Sequence, residues 1–158
     1  MGEYRVAEIC ENGHVITSNV ATGKHEQFCS SCGKPTLGAC RACETPIRGH
    51  FFGGRSLSAP EPYRAPSYCY KCGGPFPWTE ARLKAANDLA DEQDDLSLED
   101  RDRLKEAIAE LGHDSPGVEA VAVRAKKLLK KASGVGAEAL RKIVVDFASE
   151  TAKKILLG

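Results

Sequence analysis

Cysteine spacing constrains this chain more than any other feature. Cys29-Ser-Ser-Cys32-Gly33-Lys-Pro35 returns as Cys69-Tyr-Lys-Cys72-Gly73-Gly-Pro75. Between the two copies lies a plainer pair, Cys40-Arg-Ala-Cys43, and a seventh cysteine, Cys10, stands alone upstream. Two thiols separated by two residues can grip one ion from a tight loop whose backbone amides face the sulfurs. The glycine after the second thiol supplies the positive φ that such a turn commonly needs. A single C-x-x-C is weak evidence, but three within residues 29–72 point to structural zinc. Clustered pairs and an odd cysteine count weigh against disulfides and redox dithiols.

Two tetrahedral ions need eight donors, and seven cysteines leave one short. His14, in Cys10-Glu-Asn-Gly13-His14, is the best-placed eighth donor, because Asn12-Gly13 turns the chain between it and Cys10. His25 and His50 are rivals, read here as loop histidines. If no histidine completes the set, Cys10 is either a buried apolar-type cysteine or part of a three-thiolate site with an open, catalytic position. The order of the pairs favours a sequential arrangement over a cross-braced one. Cys10, His14, Cys29 and Cys32 then hold one Zn2+, and Cys40, Cys43, Cys69 and Cys72 hold a second. Residues 33–39 connect the two, and Tyr4, Val6 and Ile9 are expected to pack the ribbons.

Residues 44–68 are rich in Gly, Pro and Ser and read as an exposed loop. Arg48, Arg55 and Arg64 lie there beside Phe51, Phe52 and Tyr63, a mixture suited to stacking bases and touching phosphates. The preferred reading is structural. A ribbon has little apolar interior, so Ile47, Phe51 and Phe52 are expected in strands covering a small core, with the arginines solvated.

After Trp78, cysteine and glycine give way to helical periodicity, so the reading divides the chain at residues 1–78 and 79–158. Thr79 is expected to cap a helix over residues 79–95. Ser97 caps the next, with Leu104, Ala107, Ile108 and Leu111 as its stripe and Gly112 as its stop. Ser115 before Pro116 reads as the cap of a third helix burying Val118, Val121, Ala122, Ala125, Leu128 and Leu129. Its other side is basic (Arg124, Lys127, Lys131), a face that binds nucleic acid or an acidic partner, or is simply solvated. Gly134-Val-Gly136 breaks the chain before a last helix over residues 137–157, whose stripe is Leu140, Ile143, Val144, Phe147, Thr151 and Ile155. The expected fold is α+β: a pair of small zinc ribbons followed by an all-α region of about four helices.

Cys-x-Asn-Gly-His-Val-Ile at 10–16, the two Cys-x-x-Cys-Gly segments, Thr-Pro-Ile-Arg-Gly at 45–49, Pro-Phe-Pro-Trp-Thr-Glu at 75–80 and Ser-Glu-Thr-Ala-Lys-Lys-Ile-Leu at 149–156 carry a resemblance. The chain resembles the double zinc ribbon class and, more narrowly, an uncharacterised bacterial family filed as a domain of unknown function. The resemblance implies zinc ribbons with a helical tail and brings no activity with it.

Function is therefore read from residues. Formal net charge is zero, so no overall field draws the chain to nucleic acid or anionic lipid. Met1-Gly-Glu-Tyr-Arg-Val lacks the apolar core of a signal peptide, and no run reaches the roughly 20 apolar residues of a membrane span, so a cytoplasmic location is expected. No H-E-x-x-H, G-x-S-x-G or phosphate-binding glycine loop is present. The expectation is a non-enzymatic interaction or adaptor module, its helices docking a protein partner or a second copy. A nucleic-acid-binding ribbon is the alternative, and a metal-dependent hydrolase a distant third.

Overall fold

Residues 3–10 form two short strands that turn a corner at Ala7, β1 (Glu3–Val6) and β2 (Glu8–Cys10). Ala7, Ile9 and Cys10 are fully buried along that path, so this segment is the inner wall of the cysteine-rich part of the chain. A computed structural model describes residues 2–53 and 62–158 and divides the chain into two compact units, Met1–Glu80 and Ala81–Gly158. The fold is mixed α+β, with the strands in the first unit and five α-helices among the described residues.

In the first unit β2 is the centre of a three-stranded sheet. It pairs antiparallel with β3 (Val15–Thr17) on one side and β4 (Thr36–Leu37) on the other. β1 pairs antiparallel with β5 (Arg48–Phe52) in a separate two-stranded ribbon, with Tyr4 opposite Phe51 and a bulge before Val6. Gly49 allows β5 to pass close to its neighbours, because a Cβ there would lie 1.9 Å from the Ser18 carbonyl oxygen. The core gathers Ala7, Ile9, Ile47, Phe76 and Trp78 around Cys40 and Cys69. Phe76 and Trp78 stack at 4.7 Å, and the Trp78 indole donates to the Pro66 carbonyl at 2.8 Å.

That core differs from the expected one. Ile47 is buried, but Phe51 and Phe52 sit on β5 more than half exposed, because Phe76 and Trp78 take the interior instead. Tyr4 is likewise exposed, whereas Ile9 is buried as expected. Residues 44–53 and 62–68 are not all loop, since β5 and buried Thr45 fall among them. Arg55 lies outside the described residues.

The first helix, α1 (Pro77–Asp91), begins two residues before the expected cap. Proline suits a first helical position, where no N–H is needed, and the Phe76 carbonyl accepts from the amides of Thr79 and Glu80. Thr79 cannot cap, because its hydroxyl donates to the Ser67 carbonyl at 2.7 Å. The helix also stops earlier than expected. Gln93 is fully buried, its amide nitrogen donating to the carbonyls of Leu89 (3.0 Å) and Val135 (3.2 Å), and Leu96 is buried after it. Asp95 accepts the Ser133 amide at 3.1 Å, so the acidic run closes a turn instead of ending a helix against its dipole.

In the second unit, Ser97 caps α2 (Leu98–Leu111), accepting the Asp100 amide at 3.1 Å, and the expected stripe of Leu104, Ala107, Ile108 and Leu111 is buried. Helix α3 (Val118–Lys131) has Gly117 and not Ser115 at its cap position, because a turn closed by the Ser115 carbonyl and the Val118 amide precedes the helical ladder. The residues expected on its apolar face are buried. The final stretch is two helices, α4 (Ala137–Phe147) and α5 (Glu150–Leu157). Ala148 is extended (ψ 149), the Ser149 amide donates to the Leu111 carbonyl at 2.7 Å, and the Ser149 hydroxyl caps α5 by accepting the Ala152 amide. Apolar spacing predicted one continuous helix over residues 137–157, and the capping chemistry of Ser149 splits it.

Candidate metal centres

Each C-x-x-C pair folds into the same knuckle. The amide of the first cysteine donates to the carbonyl five residues on (Cys29 to Lys34, Cys40 to Thr45, Cys69 to Gly74, each 2.8 Å). The residue after the second cysteine donates back to the first: Gly33 to Cys29, Glu44 to Cys40 and Gly73 to Cys69. A lone antiparallel bridge closes each loop, joining Phe28 to Pro35, Ala39 to Pro46 and Tyr68 to Pro75. The middle pair is therefore not a plainer kind of loop. Pro46 stands three residues after Cys43 just as Pro35 and Pro75 follow Cys32 and Cys72, and that spacing was the overlooked signal. The left-handed position is taken by Gly33 (φ 70), Gly73 (φ 73) and, in the middle knuckle, Glu44 (φ 58). A fourth turn is built differently. Gly13 (φ 87) bends the chain so that the Cys10 amide meets the His14 carbonyl at 2.9 Å and the His14 amide meets the Cys10 sulfur at 3.3 Å.

Among the described residues, two groups of metal-ligating side chains form: Cys10, His14, Cys29 and Cys32, and Cys40, Cys43, Cys69 and Cys72. Within each group the ligand atoms all lie within 4.8 Å of one another. The grouping joins consecutive pairs and not alternate ones. Sulfur–sulfur separations are 3.7 Å for Cys10–Cys32, 3.8 Å for Cys40–Cys72 and 3.6 Å for Cys43–Cys69. A disulfide would need about 2.05 Å, and all seven cysteines are free. A tetrahedron with metal–sulfur arms of about 2.3 Å has edges of about 3.8 Å. The His14 Nδ1 atom lies 3.4 Å from the Cys10 sulfur and 3.6 Å from that of Cys29, in keeping with one shorter nitrogen arm. Both groups can hold a metal ion, and their donor sets, three thiols with an imidazole and four thiols, fit zinc.

The thiols of each group differ in acidity. The Thr45 hydroxyl, 3.3 Å from the Cys43 sulfur, and the Thr45 amide bring that thiol down to about 6. Burial pushes Cys29 up, but the Ser31 and Cys32 amides outweigh it and bring the thiol down to about 7. The amides of Cys72 and Lys71 lower Cys69. Burial raises Cys10. At Cys72 the Gly74 amide lowers the thiol, yet burial and the neighbouring sulfurs push it up to about 11. Each group thus sets readily ionised sulfurs beside sulfurs that resist a further negative charge, a conflict that a divalent cation relieves.

The other histidines have different partners. His25 pairs with Glu8, a carboxylate only 4% exposed that also accepts the Glu26 amide at 2.9 Å. His50 packs against the Tyr63 ring at 5.7 Å. Neither joins a metal-ligating group. An ion pair between Arg41 and Glu11 links the knuckle of Cys40 to the turn after Cys10. Sequence reading missed the Thr45, Glu8 and Arg41 contacts. Only Thr45, two residues past Cys43, carried a local signal.

No helix among the described residues is long and apolar enough to cross a membrane. A family model described as an uncharacterised protein conserved in bacteria, DUF2321, matches residues 3–156. No curated protein and no solved structure matches the chain.

Proposed function

The chain belongs to this bacterial family, and from its own residues we propose that it is a non-catalytic, zinc-stabilised interaction module. Two structural zinc ions hold the ribbons, and the helical unit is the region that docks a protein partner or a second copy. The observation that carries this reading is the tetrahedral spacing of the two groups. Four protein donors at those separations fill the coordination sphere of zinc, and a filled sphere holds a fold together without admitting a substrate. His14 carries the distinction between this reading and a hydrolase: its Nδ1, 3.4 Å from the Cys10 sulfur and 3.6 Å from that of Cys29, is the donor that supports a filled sphere with no position for a reacting water.

Native mass spectrometry of the purified full-length protein tests the proposal. The expected spectrum has two zincs per chain, falling to one with Cys10→Ser, together with a dimer or a bound protein. One zinc in the unmodified protein, or hydrolysis of an ester substrate that is lost on His14→Ala with zinc retained, overturns it.

A further inference from the structure

The β1–β5 ribbon holds its aromatic rings in water. Tyr4, Phe51 and Phe52 are 51%, 54% and 65% exposed, and Tyr70, from the last knuckle, is 54% exposed. Half-exposed rings clustered on so small a unit mark a surface that something covers. Two of these rings flank one cation, whereas Phe52, the cross-strand partner of Glu3, lies against Arg5 at 4.6 Å. The Arg48 guanidinium lies 3.6 Å from the Tyr70 ring centroid and 4.6 Å from that of Tyr4. The guanidinium is thus held beside two rings, and a guanidinium's N–H donors lie in its plane, along the edge that hydrogen-bonds anionic oxygen. Tyr4 in turn meets its cross-strand partner Phe51 edge to face at 5.1 Å. Lys71, exposed, follows Tyr70. Strand alternation puts Glu3 on the opposite face of the ribbon, where it pairs with Arg5 at 2.6 Å.

We propose that the face made by Tyr4, Arg48, Phe51, Tyr70 and Lys71 binds single-stranded nucleic acid. Arg48 and Lys71 take backbone phosphates while unpaired bases stack on the exposed rings of Phe51 and Tyr4. Charge complementarity selects an anionic occupant, and the rings select among anions. An acidic peptide would satisfy the cations and leave the rings wet, and a duplex hides its base faces from them. The inference rests on the ribbon being held by its metals, so zinc content is measured beside binding.

The experiment is fluorescence anisotropy of a labelled oligothymidylate with the zinc-loaded full-length protein over a range of potassium chloride. Binding is expected to weaken with salt at a log–log slope of about −1.4, the value for two phosphates on a single strand. Phe51→Ala is expected to lower affinity about tenfold by loss of a stacking platform, and Arg48→Ala to lower affinity and reduce the slope by about 0.7, both with two zincs retained. If Arg48→Ala loses zinc, Phe51→Ala decides. Absence of binding at low salt with two zincs present overturns the proposal and leaves the zinc module standing. Affinity unchanged in zinc-loaded Phe51→Ala also overturns it, as does equal competition by polyglutamate, which would assign the face to an acidic protein.

Discussion

At the scale of single residues, the left-handed position of each knuckle isolates a backbone cost. Gly73 sits at φ 73 with nothing within 4 Å of where a Cβ would go. Gly73→Ala therefore introduces backbone strain alone, and a loss of about 1 kcal/mol is expected from thermal unfolding of the zinc-loaded protein. Glu44 already bears that strain at φ 58. Glu44→Gly should raise stability in the same measurement by roughly 0.5 to 1 kcal/mol, the relief being partly offset by glycine's freedom in the unfolded chain. Acidity follows from the same local amides and hydroxyl. Cys29 and Cys43 lie below the usual thiol value of 9.0, at about 7 and about 6. A lowered acid stabilises the fold fully above its unfolded value, and that contribution disappears as pH falls through the folded one. Metal affinity, measured by competition with a chromophoric chelator, should weaken as pH falls from about 9 through about 6, because the ligands must be thiolates. A flat profile would contradict thiolate ligation.

At the scale of elements, short polar signals decide where helices begin and end. Ser97 and Ser149 each accept an amide three residues on, and each starts a helix from its own extended backbone. Ser97 follows an acidic, apolar-poor stretch and was legible as a cap. Ser149 lies inside a run whose apolar spacing continues unbroken, so periodicity concealed it. Its own amide is already committed to the Leu111 carbonyl, which fixes the break between α4 and α5. Ser149→Ala should cost about 1 kcal/mol, read from urea unfolding of the helical signal. Loss of less than a few tenths would mean that the Leu111 contact alone sets the break. Proline works in the opposite sense at α1. Pro77 opens the helix two residues before Thr79, because a first-turn position needs no donor.

At the scale of the whole molecule, the two units are built on different physics. The apolar cluster of the second unit collects Leu104, Ile108, Leu111, Val118, Leu140 and Val144 with their neighbours, and it shares no residue with that of the first. The first unit has few large buried side chains and includes cysteine sulfurs among them. A structural zinc contributes roughly 10 to 16 kcal/mol of apparent binding energy, against a net stability of about 5 to 15 kcal/mol for an ordinary domain. Removing metal with a strong chelator is expected to unfold the ribbons and release their Trp78 fluorescence to a solvent-exposed maximum. The far-ultraviolet helical signal should persist. Parallel loss of both signals would show one cooperative unit.

The sequence by itself supplied the donors and their knuckle loops, because a C-x-x-C loop encodes its local geometry within seven residues. The meeting of consecutive and not alternate pairs, with His14 beside Cys10, was decided by the tertiary structure. The sequence also determined the buried stripes of α2 and α3, since helical periodicity is a local property. Tertiary structure decided what local spacing cannot express. The Tyr4, Phe51 and Phe52 rings compete with Phe76 and Trp78 for one small interior, and the winners come from a segment that folds back against Ile9 and Ile47. The losers stay in water, Tyr4 beside Arg48 and Phe51, and Phe52 beside Arg5. Burial is settled by competition among groups distant in the chain, and only the folded backbone brings those competitors together.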